Sequence, residues 1–293
     1  MSNPSDSRVA VVTGASSGVG KAAAKALAGR GWHVIAHGRD PGRTAAAEPE
    51  IRGAAAQGGK VTMIRGDLAS LSDTARLAEE IARHTGTVHA LLNNAGGVCS
   101  ELRVTPEGNE STFAGNHLGH FLLTQRLMPL LRAAAAAREP GTVRVVSVSS
   151  SAHEYCPGID WDDLQQLRQW EAMKSYCLAK LCNVLFTREL AKRARQAGIV
   201  ANAMHPGVVA SNFASHTPSH VQTYLAGLPS VSSEAGADTL IWLATAPEAA
   251  RVTGGYFHER AQMNEAPSAR DDAAAARLWT ESEALVGRAG IRL

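Results

Sequence analysis

Cysteine is scarce and scattered. The four in this 293-residue chain stand at 99, 156, 177 and 182, with no CxxC pair and no His/Cys cluster at metal-ligand spacing. That pattern argues against a disulfide framework or a zinc centre, suits a reducing cytoplasm, and leaves no metal expected. An excess of charge of one sign is also missing. The 29 Lys and Arg against 27 Asp and Glu leave a net +2, too weak a field for nucleic acid or an anionic membrane to be the main partner. No stretch reaches the roughly 18 apolar residues that would cross a bilayer. The opening "MSNPSDS" has no apolar core of an export signal. A soluble, cytoplasmic protein is expected.

What the chain does have is alternation. Short β-branched or apolar runs at 8–14, 33–38, 60–66, 88–96, 142–150, 199–207 and 254–258 imply seven strands. Segments at 18–30, 42–58, 70–85, 108–137 and 176–197 are long enough for crossover helices. This predicts an α/β fold, a doubly wound, mostly parallel sheet with helices on both faces. Near-continuous apolar strands fit burial on both sides. With no linker or internal repeat, one domain over 1–293 is expected, and the irregular, proline-bearing stretch 211–232 is read as a substrate lid.

The first strand ends in "TGASSGVG", residues 13–20, just before a helix. Gly14, Gly18 and Gly20 would permit a tight turn and let backbone approach a pyrophosphate at a helix N-terminus, the Rossmann dinucleotide arrangement. At the end of the second strand "AHGRDPGR" offers Arg39, where an enzyme selecting NAD usually places a carboxylate. A guanidinium can grip a 2′-phosphate, so NADP(H) is the expected cofactor; the competing arrangement has Arg39 solvated and Asp40 on the ribose. Asp67, in "RGDL", is placed to accept from an adenine amino group or to cap the following helix. "NNAG" at 93–96 closes strand four with amides and a glycine.

With "TGASSGVG", "NNAG", "NHLGH", "VSVSSSAH", "YCLAK" and "HPGVVAS" in this order, the chain resembles the short-chain dehydrogenase/reductase family over nearly its full length. "NHLGHFLLT" and "YCLAKLCNVLFTREL" look most like its retinol-dehydrogenase-like branch. The resemblance implies a catalytic tetrad of Asn116, Ser150, Tyr176 and Lys180. It also implies that a cofactor touches Ser16, Ser17 and Val19 beside the glycines, Leu68 beside Asp67, and Asn94, Ala95 and Gly96. Pro206, Gly207, Val209 and Ser211 would then face the nicotinamide. Two features limit the resemblance: Ser150 precedes Tyr176 by 26 positions, more than in compact members, with Ser149 and Ser151 as competitors, and the N-terminal anchor of membrane-bound retinoid enzymes is not expected here.

The residue types suit hydride chemistry. Carbonyl reduction leaves an alkoxide needing a proton, and a tyrosine of ordinary pKa about 10 holds one but gives it up slowly at neutral pH. Lys180, four residues on, shares a helix face with Tyr176, where its ammonium is expected to lower that pKa. Ser150 would orient the substrate oxygen, and Asn116 would hold a water linked to Lys180. Singly, each has a plainer reading: a packing ring, a surface charge, a strand-end serine, a helix cap. Tyr155 lacks a cation four residues later, His205 is read as a satisfied strand-end histidine, and His153, Glu154 and Cys99 as pocket wall or surface. Trp161 and Trp170 either pack down the segment before Tyr176 or line the pocket.

The expected function is therefore an NADP(H)-dependent reductase/dehydrogenase acting on an apolar ketone or aldehyde. Phe213, Val221, Tyr224 and Leu225 are read as an apolar cover. An Ala-, Gly- and Arg-rich composition suggests a high-GC bacterium, and with this branch a polyketide or other secondary metabolite. Quinone or enone reduction at the same site and a non-catalytic NADPH sensor are the rivals, and the family contains homo-oligomers as well as monomers.

Overall fold

Every residue of β1 (Val9–Val12), β2 (His33–Gly38), β4 (Ala90–Asn93), β5 (Val143–Val148) and β6 (Ile199–Met204) is buried. Strands this apolar need cover on both faces. The computed structural model describes residues 8–56, 58–210, 217 and 219–293. With β3 (Lys60–Arg65), β7 (Tyr256–His258) and β8 (Ala261–Met263), the strands form one eight-stranded sheet in the order β3-β2-β1-β4-β5-β6-β7-β8. All pairs are parallel except β7 with β8. The order reverses between β1 and β4, and this switch point opens the crevice at the carboxyl ends of the strands.

Alternate residues of each strand feed two cores. Val9, Val11, Ile35 and Leu91 pack with α3 (Leu71–His84), α5 (Gly119–Ala136), α6 (Ala172–Ala194) and α9 (Asp272–Arg288). Ala10, Val12, Val34 and Leu92 pack with α1 (Gly18–Ala28), α2 (Pro41–Gly53) and α8 (Ser233–Thr245). Burying one such side chain contributes about 1.5–3 kcal/mol. Local chemistry sets the helix starts: Asp40 caps α2 ahead of Pro41, and Ser70 caps α3 by accepting from the Asp73 amide at 3.2 Å.

Three expectations change. The sheet has eight strands, not seven. The added β8 follows a two-residue turn in which Glu259 (φ 48°) and Arg260 (φ 60°) both adopt left-handed backbone without glycine. Arg260 is held there by bonds from its amide to Thr239 Oγ1 (3.0 Å) and from Nε to Asp238 (2.6 Å). Next, the helix expected over 108–137 is broken: α4 (Ser111–Phe113) runs into a π-helical segment, Ala114–Leu118, before α5. Finally, α6 starts at Ala172, ahead of Tyr176. Of the expected lid, α7 (Ser219–Ala226) is described, with Val221 buried and Tyr224 exposed. Ser211 and Phe213, and the side chain of Leu225, lie outside the description.

Candidate active site

Thr13 ties the two strands at the switch point together. Its Oγ1 accepts from the amides of Asn94 (2.8 Å) and Ala95 (2.9 Å), and Asn94 Nδ2 returns a bond to the Thr13 carbonyl (2.7 Å). Behind it, His120 is lowered to about 4 by burial and stays neutral. Its Nδ1–H donates to the Asn116 carbonyl (2.9 Å) and its Nε2 accepts from Thr13 Oγ1 (2.9 Å). The glycine turn starts at Gly14 (φ 68°), and a Cβ on Gly20 would collide with the Gly14 carbonyl. The main chain therefore folds back on itself with no room for a side chain. Ser16 lines the turn beside Gly38, and α1 begins at Gly18. Ser17 occupies the cap position without a side-chain bond, so the first amides of α1 remain available to an anion.

The ends of β2 and β3 form the outer part of the crevice. His37, its pKa lowered by burial, donates from Nε2 to the Gly66 carbonyl (2.9 Å) and accepts from the Gly14 amide at 3.4 Å. A cavity of about 460 Å³ opens beside it, lined by Arg39, Arg65, Gly66, Asp67 and Arg76 among others. Arg76 is committed to Asp73, Glu80 and the Arg65 carbonyl. Asp40 is taken up as the α2 cap, accepting from the Arg43 amide at 2.8 Å. Arg39 makes no ion pair or hydrogen bond among the described residues. Asp67 accepts from the Ala69 amide (3.0 Å), while Ser70, not Asp67, caps the helix; Leu68 next to it is buried.

At the ends of β5 and α6 the proposed catalytic residues converge. Neighbouring strand residues point to opposite faces, and this separates the serines. Ser149 Oγ donates to the Lys180 carbonyl (2.7 Å) inside the core, whereas Ser150 shares a hydrogen bond with the Tyr176 phenol; Ser151 is exposed. Lys180 is buried, its Nζ 3.2 Å from the Val148 carbonyl and over the Tyr176 ring at 5.4 Å from the centroid. A Cβ on Gly96 would strike Asn116 Oδ1 and come within 3.1 Å of that ammonium. The tyrosine pKa runs against expectation. Burial raises it above the ordinary value, opposed by the Ser150 bond, and burial lowers Lys180 to about 8.

Asn116 also makes bonds that its sequence context does not foretell. Its Nδ2 donates to the carbonyls of Gly97 (2.8 Å) and Thr112 (2.8 Å), and its Oδ1 accepts from the Gly97 amide (3.2 Å). The π turn places it there, and those bonds hold the loop after β4. Past β6, Pro206 and Gly207 lead to Val209, which pairs with Val231. Val209 and Val19 both lie against Gly236, joining the start of α1 to the inner end of the crevice.

The model of the short chain dehydrogenase family matches residues 8–222. The chain belongs to this family. Human retinol dehydrogenase 13 is 39% identical over 288 residues, covering 96% of this chain and 85% of that protein. The structure of an uncharacterized protein from Mycobacterium paratuberculosis superposes with a TM-score of 0.74 at 31% identity, covering 98% of this chain and 97% of the other. RhlG of Pseudomonas aeruginosa, solved with NADP in its active site, gives 0.68 at 27%, covering 87% and 97%. The chain is thus an oxidoreductase of this family and is similar to retinol dehydrogenases 12, 13 and 14, as its motifs suggest.

The crevice has features that suit an NAD(P)(H) molecule: a glycine turn too tight for side chains, and uncapped amides at the start of α1. Tyr155 is 78% exposed and stands outside the site. His205, lowered to about 4 by burial, stacks 3.9 Å from His258 and accepts from the Gly207 amide, a satisfied strand end as expected. Sequence reasoning missed Thr13, His120 and Glu110. The first two stood inside quoted motifs, but their partners come from other strands and helices. Among the described residues no group of His, Cys, Asp or Glu is arranged to hold a metal, and no helix is long and apolar enough to cross a membrane.

Proposed function

We propose that this chain is an NADP(H)-dependent reductase/dehydrogenase that interconverts an apolar ketone or aldehyde with its alcohol, with Tyr176 as general acid and base. The observation that carries the reading is the Tyr176–Ser150 hydrogen bond at the mouth of the crevice, with the buried Lys180 ammonium one turn along α6. A bound cofactor would be held by Gly14 to Gly20, Arg39, Asp67, Leu68, Asn94 to Gly96, Pro206, Gly207, Val209 and Ser211; its nicotinamide supplies or accepts the hydride. Arg39, without a partner among the described residues, and Asp40, occupied as a cap, favour NADP(H) over NAD(H).

Ser150 donates to the substrate oxygen and turns it toward Tyr176. A phenol with a raised pKa keeps its proton at neutral pH, the form needed to protonate an alkoxide. Alcohol oxidation requires the phenolate, which the Lys180 charge stabilises. Around the Tyr176 ring, Val98, Ala152, Ala172, Trp170 and Met173 form an apolar wall, which suits an apolar substrate, as does the similarity to retinol dehydrogenases. The chain is read as one domain with a substrate lid at about 211–232.

Loss of NADPH absorbance across a panel of apolar aldehydes, ketones and quinones tests the reading. Turnover by the wild type that falls by orders of magnitude in Tyr176→Phe supports it. Tight NADPH binding without oxidation by any of them would leave a non-catalytic nucleotide-binding protein.

A further inference from the structure

The Glu110 carboxylate is fully buried, and no cation pairs with it among the described residues. Four donors satisfy it instead. Oε1 accepts from the Thr112 amide (2.9 Å) and Trp170 Nε1 (3.3 Å), and Oε2 from the Phe113 amide (2.7 Å) and the Ser175 hydroxyl (2.6 Å). A carboxylate offers about four lone-pair sites, so this one is fully used. Its own amide donates to Gln165 Oε1 (2.7 Å), and Gln165 Nε2 donates back to Asn109 (3.1 Å).

Two of the four bonds are an ordinary helix cap on α4. The other two leave the helix for the long segment between Ser150 and Tyr176. Ser175 immediately precedes Tyr176 on α6, and Trp170 packs against the apolar cluster that contains the Tyr176 ring. Thr112, capped by Glu110, holds Asn116 Nδ2 through its carbonyl. One carboxylate therefore joins the turn of Asn116, the first turn of the tyrosine helix and the wall beside it.

We propose that Glu110 is the positioning residue of this site. Through Ser175 it sets Tyr176 for proton transfer, and through Trp170 it sets the wall that selects substrates by apolar length. The proposal rests on Tyr176 being the acid, as proposed above. Glutamine at 110 keeps the shape but offers one acceptor oxygen and turns an NH₂ group toward donors, so one pair of bonds breaks.

The test compares Glu110→Gln, Ser175→Ala and Trp170→Phe in the full chain, with NADPH and a short and a long aliphatic aldehyde. Ser175→Ala is expected to lower kcat about tenfold with both aldehydes at unchanged KM, the size of effect that sub-ångström misplacement produces. Trp170→Phe is expected to raise KM several-fold more for the long aldehyde than for the short. Glu110→Gln should combine both and speed hydrogen exchange in residues 165–176, with NADPH affinity retained; Glu110→Asp should restore part of kcat. The proposal is overturned if Ser175→Ala and Trp170→Phe both stay within twofold of wild type in kcat and KM. It is equally overturned if NADPH affinity and melting temperature fall in step with activity. Wild-type turnover by Tyr176→Phe would instead remove the acid assignment, while the exchange result at 165–176 would still report the clamp.

Discussion

The Lys180 ammonium lies over the Tyr176 ring, 5.4 Å from its centroid, and the Val148 carbonyl accepts from it at 3.2 Å. Burial presses both groups toward their neutral forms. The lysine falls from 10.5 to about 8, and the phenol rises above its ordinary value.

That depression makes the buried lysine a stability liability at neutral pH. Between pH 8 and 10.5 the unfolded chain binds a proton that the folded chain does not, so the contribution of Lys180 to stability improves as pH rises through this window. At about 1.4 kcal/mol per pH unit, the penalty at pH 7 is on the order of 3 kcal/mol. Lys180→Met should melt higher than wild type at pH 7, with the gap closing by pH 10. Calorimetry of the cofactor-free protein in the two buffers checks this; a gap that widens with pH refutes it.

Tyr176→Phe removes the proposed proton donor and keeps the ring that packs with Val98 and Ala172. Turnover should fall by roughly 10²–10⁴-fold, the usual worth of a positioned acid. NADPH affinity by fluorescence titration should stay near wild type.

Arg39→Ala should weaken NADPH about 10–100-fold, as expected when a charge-assisted hydrogen bond of about 1.5–3 kcal/mol is lost. NADH should change little. Equal losses for the two nucleotides would place the 2′-phosphate elsewhere.

Thr13→Val leaves the Ala95 amide without its acceptor, while the Asn94 amide keeps only the Leu92 carbonyl at 3.0 Å. A hydrogen bond lost at a part-buried amide costs about 0.5–1.5 kcal/mol, so urea unfolding should show a loss of about 1 kcal/mol. NADPH affinity should fall with it, because the same threonine holds the glycine turn against β4.

The legible parts of this molecule were the local ones. Apolar strands, the glycine turn before α1 and the four-residue spacing of Tyr176 and Lys180 are written in neighbouring residues, and the family motifs added Ser150 and Asn116. β8 was not legible, because Glu259 and Arg260 carry no turn signature and are held left-handed by Asp238 and Thr239 on α8. Nor was the π segment at Asn116, whose register depends on Gly97 and His120. The direction of the Tyr176 pKa could not be read from spacing, since burial set by the whole cleft outweighs one neighbouring charge. The role of Glu110 depends on Trp170 and Ser175, 60 and 65 positions away.

Imidazoles frozen in the neutral state give this protein a floor in acid. His117 and His120 fall to about 3 and about 4, chiefly through burial, and His33 and His205 to about 4. Once the medium drops below the unfolded value of 6.5, every denatured molecule captures protons that the native one refuses, and the balance tilts with each tenth of a pH unit. That drain draws on a total of about 5–15 kcal/mol for a typical fold. Acid should therefore lower the melting temperature progressively between pH 6.5 and about 4.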